Sequence, residues 1–187
     1  GANGNTGYGV AIDAHGNIYV AGWTLSSDFP VRNAHQATCG GCGPPFTGSP
    51  GDAFLVKLSP DGSNLLFSTF LGGERNDAAY ALALDEAGNA YIAGATSSAD
   101  FPVTAGALQS RLGTVNEPQC QIASNPQNEQ SLCGNALIAK FDPSGTLVYA
   151  TYFGGRLSGG ATGIAVDSGT NAWIVGSTIA DDFPTTA

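Results

Sequence analysis

Positive charge is scarce in this sequence. Lys and Arg together number 6 against 15 Asp and Glu, which leaves a formal net charge of −9. Binding to nucleic acid depends on neutralising phosphates with Lys and Arg, and the anionic face of a membrane attracts the same residues. We therefore expect no nucleic acid and no anionic lipid surface among the partners of this chain.

Long apolar runs and several residue types are also missing. No run approaches the roughly 20 apolar residues that a bilayer-spanning helix needs, so the sequence predicts no membrane insertion. Methionine is absent and there are 2 histidines, whereas glycine reaches 27. Low Lys with abundant Gly, Ser, Thr and Asn is typical of secreted bacterial surface proteins. We expect an extracellular, cell-surface or periplasmic location.

The dominant feature that the sequence does have is a repeat. The motif GVAIDAHGNIYVAGWTLSSDFP at residues 9–30 recurs as ALALDEAGNAYIAGATSSADFP at 81–102 and as GIAVDSGTNAWIVGSTIADDFP at 163–184. A second motif occurs as DAFLVKLSPDGSNLLFSTFLGG at 52–73 and as NALIAKFDPSGTLVYATYFGG at 135–155. Repeats of this length indicate an architecture built from copies of one supersecondary unit.

Each motif predicts two antiparallel strands joined by a tight turn. In the first motif the turns begin at Asp13, Asp85 and Asp167, where Gly supplies a positive φ and Asp or Asn bonds to the neighbouring backbone. We interpret these aspartates as structural. The third copy carries its Gly one position earlier, which leaves that turn open to a different geometry. Four antiparallel strands in each repeat are one blade of a β-propeller.

The two motifs together resemble the bacterial SBBP family of β-propeller repeats. The similarity rests on D-x-x-G-N-x-Y, on D-F-P and on the strand that ends in Gly-Gly, and it covers nearly all of the chain except two cysteine-bearing insertions. The resemblance implies a plan similar to NHL-type propellers, with strands A to D ordered from the axis outward. It also implies a mostly extracytoplasmic family with no common catalytic motif.

The expected fold is all-β: a β-propeller segment with about two and a half four-stranded antiparallel blades of a larger ring. We expect the remaining blades to come from the same protein or from another chain, because propellers close with about four to eight blades and a lone strand B leaves an open edge. Within 1–187, the first blade is predicted to comprise strands A and B with the first insertion (1–51) and strands C and D (52–73). The second blade comprises strands A and B with the second insertion (74–134) and strands C and D (135–155). The third blade contributes strands A and B (156–187).

The two insertions lie between strands B and C and hold all four cysteines. Loops B–C and D–A emerge at the same end of a blade, so we expect both insertions to decorate one rim and to form the binding surface. We favour a Cys120–Cys133 disulfide with a tight Cys39–Cys42 bridge. A crossed pairing and a four-cysteine zinc site are the alternatives. The CGGC sequence lacks the helix and βαβ setting of a thioredoxin-like redox motif.

Three recurrent aspartates, Asp28, Asp100 and Asp182, precede Phe-Pro in every copy. We interpret them as turn residues whose carboxylates accept backbone N–H groups. The alternative is a ring of carboxylates that helps to bind Ca²⁺, which prefers clustered oxygen ligands. Calcium is the one cofactor that the sequence brings into consideration.

Trp23, His35 and Arg111 are the candidates for contact with a ligand or partner. Trp23 ends a strand B whose other copies carry Ala or Ser at that position, and His35 and Arg111 lie in the insertions. No catalytic residue is predicted, since no partner stands at a recognisable triad spacing from His35. We expect a non-enzymatic scaffold or protein-interaction module that binds through disulfide-stapled B–C loops. The alternatives are a carbohydrate-binding surface propeller, and part of a propeller hydrolase or lyase whose catalytic residues lie outside this segment.

Overall fold

A computed structural model describes residues 1–43, 50–113 and 134–186. Ten β-strands and no helix form within these residues. Within these residues there is therefore no helix that is long and apolar enough to cross a membrane. The strands are β1 (Asn5–Ile12), β2 (Ile18–Thr24), β3 (Asp52–Leu58), β4 (Leu65–Leu71), β5 (Asp77–Leu84), β6 (Ala90–Thr96), β7 (Asn135–Phe141), β8 (Leu147–Phe153), β9 (Gly159–Val166) and β10 (Ala172–Thr178).

The strands form three antiparallel sheets. Strands β1 to β4 and strands β5 to β8 each make a four-stranded sheet in sequence order, and β9 pairs with β10. We call these blades 1, 2 and 3, with strands A to D in chain order. The prediction of an all-β chain built from propeller blades of four, four and two strands is confirmed.

Strand A carries the same irregularity in each blade. The register with strand B shifts between Gly7 and Gly9 and between Ala79 and Ala81, and it shifts at the matching place in blade 3. A β-bulge places an extra residue on one strand and increases the local twist. Opposite the bulge of blade 2 lies Gly94, where any side chain would collide with the carbonyl oxygen of Ala78. The repeated Gly of strand B is therefore required by close backbone approach.

The main core lies between blades 1 and 2. Blade 1 contributes Tyr19, whose hydroxyl donates to the carbonyl oxygen of Gly88 in blade 2 at 3.1 Å. The backbone N–H of Asp77 donates to the Gly51 carbonyl at 2.8 Å, which joins the start of strand A to the preceding blade. The largest fully buried side chains are Tyr19, Tyr91, Tyr152, Phe67, Phe70, Phe141, Leu55, Leu71, Ile92, Leu137, Asn135 and Thr24.

The three A–B turns have one geometry. In each, the Asp carboxylate accepts the backbone N–H of the Asn four residues later, at 2.8–2.9 Å. Gly16 and Gly88 have φ of 81°, and Thr170 occupies the same position with φ of 64°. The shifted Gly of the third copy therefore does not change the turn, and a β-branched residue takes the left-handed conformation instead.

A buried ion pair supports each of the first two A–B turns. The Lys57 ammonium lies 3.4 Å from the Asp13 carboxylate and 4.8 Å from the centre of the Tyr19 ring. Burial acts to raise the pKa of Asp13, but hydrogen bonds from Asn17 and the charge of Lys57 hold it below its ordinary value. The recurring Lys of strand C is thus part of the blade's structure.

Candidate functional site at the disulfide rim

Both insertions leave and re-enter their blades at one end, which we call the disulfide rim. Strand B of blade 1 ends at Thr24, which pairs with Asp52 at the start of strand C. Thr96 and Asn135 pair in the same way in blade 2. The D–A loops, which begin with Gly-Gly after β4 and β8, lie at this end too. The described ends of the B–C and D–A loops therefore share one rim, as the strand order predicts.

Each insertion first runs along the outer edge of its own blade. Arg32 and Ser68 of β4 exchange two backbone hydrogen bonds of 3.1 and 2.8 Å, and Phe70 donates to the Gln36 carbonyl at 3.1 Å. Residues 104–109 bond to β8 in a similar way. An open strand edge invites pairing with other chains, and covering it removes that liability. This edge-covering role of the insertions was not predicted from the sequence.

A glutamine fixes the end of each edge segment. The Gln36 side-chain amide donates to the Thr38 carbonyl at 2.9 Å and to the Asp52 carboxylate at 3.1 Å. Its carbonyl oxygen accepts the backbone N–H of Gly72 at 3.1 Å. One side chain thus connects the insertion, strand C and the D–A loop.

Gln109 makes the same three contacts in blade 2. It donates to the Arg111 carbonyl at 2.8 Å and to the Asn135 side-chain oxygen at 3.2 Å, and it accepts from the Gly154 N–H at 3.0 Å. A shared sequence pattern, Q-x-x-x-G, marks both glutamines. It reads QATCG at 36–40 and QSRLG at 109–113. Aligning the insertions with each other would have found these anchors.

The first residue of strand C holds the insertion from the other side. Asp52 is fully buried, and its carboxylate accepts the backbone N–H groups of Gly40 at 2.9 Å and Gly41 at 3.2 Å. In blade 2, Asn135 accepts the N–H of Gly113 at 2.7 Å. The Asn135 amide also donates to the Gly155 carbonyl at 2.9 Å. A carboxylate in blade 1 and an amide in blade 2 therefore hold the insertion in the same way.

Cys39 and Cys42 form a disulfide, with their Cα atoms 5.5 Å apart. This bond confirms the predicted local bridge and excludes a crossed pairing of these two cysteines. It also occupies both sulfurs, so they offer no thiolate to zinc in this state. The predicted partners Cys120 and Cys133 lie outside the described residues. Closing so short a loop contributes about 2 kcal/mol in the chain-entropy model, which makes the bridge a weak staple.

Three carboxylates surround the Gly72–Gly73 loop where blade 1 passes into blade 2. A side chain at Gly72 would collide with Asp52 and Asp77, and one at Gly73 would collide with Asp100. Asp77 accepts the Gly73 N–H at 2.8 Å through one oxygen, and its other oxygen is buried and has no partner within the described part of the chain. These loop glycines are therefore needed for close approach of the carboxylates.

Burial gives two of these carboxylates perturbed acidity. Loss of hydration raises the pKa of Asp52 to about 6, and the charge of Asp100 acts in the same direction. Loss of hydration also raises the pKa of Asp77 to about 7, to which the charge of Asp52 contributes. These two residues were not singled out from the sequence. The available signal was the exchange of Asp for Asn at matching positions of the blades.

The three aspartates considered for calcium each hold the start of their own blade. Asp28 accepts the backbone N–H of Ala2 at 2.8 Å, Asp100 accepts that of Glu74 at 3.0 Å, and Asp182 accepts that of Arg156 at 2.9 Å. These are the contacts of the capping interpretation. Across residues 1–43, 50–113 and 134–186, the three are not gathered into one group of metal-binding size.

The three candidate contact residues lie in separate surroundings. The half-buried Trp23 indole packs on Gly51, where an added side chain would collide with it. The exposed His35 ring lies 6.4 Å from the ring of Phe141 in blade 2. Arg111 is exposed on the second insertion. Within the described part of the chain, the three share no hydrogen bond, ion pair or ring contact with one another.

Comparison with known proteins identifies the repeat. A family model described as SBBP, a β-propeller repeat, matches residues 1–30 and 66–102. These segments comprise strands A and B of blade 1, strand D of blade 1, and strands A and B of blade 2. No curated protein matches the chain. The matched segments coincide with strands of the antiparallel blades, and over these segments the chain is similar to the SBBP β-propeller repeat.

Proposed function

We propose that this chain is part of an extracytoplasmic, non-enzymatic propeller scaffold that binds a protein partner through the disulfide rim. The observation that carries the proposal is the pair of insertions. Both are held by the same Gln anchor and by the same position at the start of strand C, yet their lengths and sequences diverge beyond Gly40 and Gly113. Variable loops on a rigid framework are how binding surfaces are commonly built.

The distribution of positive charge supports the same rim. Both lysines are engaged in ion pairs at the opposite end of the blades. Arg75, Arg111 and Arg156 are exposed in B–C or D–A segments at the disulfide rim, where Arg156 also pairs with the exposed Asp181. Arginine is enriched at protein interfaces and among the residues that dominate binding energy. An otherwise acidic chain thus presents most of its arginines where the partner is proposed to bind.

Site-specific photocrosslinking in the full-length protein tests the proposal. A photoreactive amino acid at Arg75 or Arg111 should yield one discrete crosslinked protein. The matched controls are His15 and Glu86, which are exposed in the A–B turns at the other end and should yield none. Crosslinks of equal yield from both ends would contradict the proposal. So would the absence of a protein crosslink together with a glycan-array signal, which would favour the carbohydrate alternative.

A loop replacement separates binding from folding. Exchanging residues 114–133 for a short Gly-Ser linker keeps Gln109, Gly113 and Asn135, and with them the contacts that seat the insertion. A larger deletion beginning at residue 110 would also remove the buried Leu112. We expect the replacement to abolish the crosslink at Arg75 while circular dichroism stays unchanged. An unaltered crosslink would place the partner elsewhere.

A further inference from the structure

The two insertions differ at the residues that carry chemistry. When Gly40 is matched to Gly113 through their shared contacts, Cys39 corresponds to Leu112 and Asp52 corresponds to Asn135. The blade that has the disulfide has the carboxylic acid, and the described blade that lacks these cysteines has the amide. Because Asn135 docks its insertion without a charge, docking alone does not explain an acid at position 52.

The backbone treats the two sulfurs differently. The Cys42 N–H lies 3.0 Å from the sulfur of Cys39, where it would stabilise a thiolate after reduction. The Cys42 sulfur lies 3.5 Å from the Thr24 carbonyl oxygen, which can accept a hydrogen bond from a thiol but repels a thiolate. Reduction would therefore leave Cys39 as the nucleophile and Cys42 as the protonated thiol.

Asp52 is placed to exchange a proton with this pair. One of its carboxylate oxygens and both sulfurs lie within 4.8 Å of one another. The same carboxylate holds the N–H groups of Gly40 and Gly41 between the two cysteines. Both cysteines are half-buried, so the pair is also open to solvent. Burial raises the pKa of Asp52 to about 6, which suits transfer in either direction near neutral pH.

We propose that Cys39, Cys42 and Asp52 form a thiol–disulfide exchange centre whose substrates are accessible thiols or disulfides. This inference does not depend on the proposed partner-binding role. The Cys42 N–H supplies the thiolate stabilisation that a helix N-terminus supplies in other exchange centres, and the buried acid adds a proton donor and acceptor. The missing helix therefore does not exclude redox chemistry at this CGGC sequence.

The exchange balances without any further oxidant. A substrate thiolate attacks the Cys39 sulfur, a mixed disulfide forms, and the bond to Cys42 breaks. The Cys42 thiolate takes a proton from Asp52, which regains one from solvent. A second substrate thiolate then attacks the substrate sulfur and releases Cys39 as a thiolate. Two substrate thiols become a disulfide while the protein disulfide becomes a dithiol, and the reverse follows the same steps.

The test uses the full chain, with dithiothreitol as reductant and dithiodipyridine as disulfide probe. Alkylation and peptide mass spectrometry report Cys39 and Cys42 separately from the other cysteines. We expect dithiothreitol to reduce this pair while circular dichroism shows a folded chain. Dithiodipyridine should then react first at Cys39, and Cys42 should close the disulfide in a second step. A pair that is reduced only after unfolding in urea would show a static staple and overturn the proposal.

Asp52→Asn tests the proton transfer, and Asn135 shows that an amide fits this position. The closing step should slow by about a hundredfold near pH 7, at the lower end of general acid–base effects. Its inflection near pH 6 should also disappear. Asp77 and Asp100 face the same loop, so Asp77→Asn serves as the control that neutralises a neighbouring carboxylate and should keep both the rate and the inflection. An unchanged closing rate in Asp52→Asn would contradict the assigned role.

Cys42→Ser combined with Asp52→Asn provides a measurement from which the charge of the Asp52 carboxylate is removed. The remaining Cys39 thiol should react with dithiodipyridine as a thiolate whose pKa lies below the value of about 8.5 for a free cysteine, because an N–H group from residue 42 still faces it. The pH dependence of the reaction rate reports that pKa directly. A pKa at or above the free value would refute the proposed asymmetry between the two sulfurs.

Discussion

Neutralising Asp77 should stabilise this protein and should do so more strongly as the pH rises. The carboxyl is fully buried, and one of its oxygens has no partner within the described residues. Its pKa is about 7 in the folded chain, against an ordinary value of 3.8. The folded chain therefore binds more protons than the unfolded chain between these two values. Stability is greatest at the acid end of that window and falls as the pH rises through it.

The size of the effect follows from the two pKa values. At about 1.4 kcal/mol for each pKa unit, ionisation of Asp77 lowers the free energy of unfolding by about 4 kcal/mol at pH 8 and by about 2 kcal/mol at pH 5. Asp77→Asn removes this dependence. Asn5 shows that an amide is satisfied at the matching position of blade 1, since it accepts from Thr24 and donates to the carbonyls of Asn3 and Gly1.

The assay is urea unfolding of the wild type and Asp77→Asn at about pH 5 and about pH 8. The advantage of the variant should be larger at pH 8 by roughly 2–3 kcal/mol. A shallower decline should persist in the variant, because burial raises the pKa of Asp52 as well. Asp61→Asn is the control, since hydrogen bonds from Ser59 and Ser63 lower the pKa of this exposed carboxyl to about 2. An equal gain at both pH values would refute the reasoning.

Two further pairs of substitutions test the blade framework by the same unfolding assay. Lys57→Met removes the counter-charge of the buried Asp13 carboxylate, which keeps its hydrogen bonds from His15 and Asn17, and should destabilise the chain by about 3 kcal/mol. Arg156→Met breaks an exposed ion pair and should change stability by less than about 1 kcal/mol; equal losses would contradict the distinction. Thr170→Gly should stabilise by about 1 kcal/mol by relieving a positive φ, and Gly88→Thr should destabilise by a similar amount. A loss in Thr170→Gly would show that the turn is not strained.

Sequence periodicity predicted the strands well, because their determinants are local. Alternating apolar residues and Asp-Gly-Asn turns specify hairpins within a few residues of one another. The start of strand A was the exception, since β1 begins at Asn5 whereas the repeated motif begins at residue 9. Those first residues are in a strand because β2 pairs with them, and Asn5 lies opposite Thr24. Pairing with a neighbour thus extended a strand beyond its own pattern.

The insertions were predicted in place but not in structure. Their position between strands B and C follows from the order of the repeats, and so does their common rim. Their pairing with the outermost strands does not, because Arg32 and Ser68 are far apart in sequence and no local pattern links them. The Cys39–Cys42 bridge was predicted as the pair that remains when Cys120 bonds to Cys133, and the structure contains it. The position of Asp52 beside this bridge was not predicted, since it depends on how the loop folds.

By itself, the sequence determined the strand content, the positions of the turns, the blade unit and the similarity of its repeats to the SBBP type. All of these depend on the types of residues that lie close together in sequence, and the same local pattern recurs in each copy of the repeat. Only the tertiary structure decided which polar groups lose contact with water. Asp52 and Asp77 look like ordinary strand-leading residues in the sequence, yet burial raises the pKa of both. Hydration depends on every atom that surrounds a group, and most of those atoms come from distant parts of the chain.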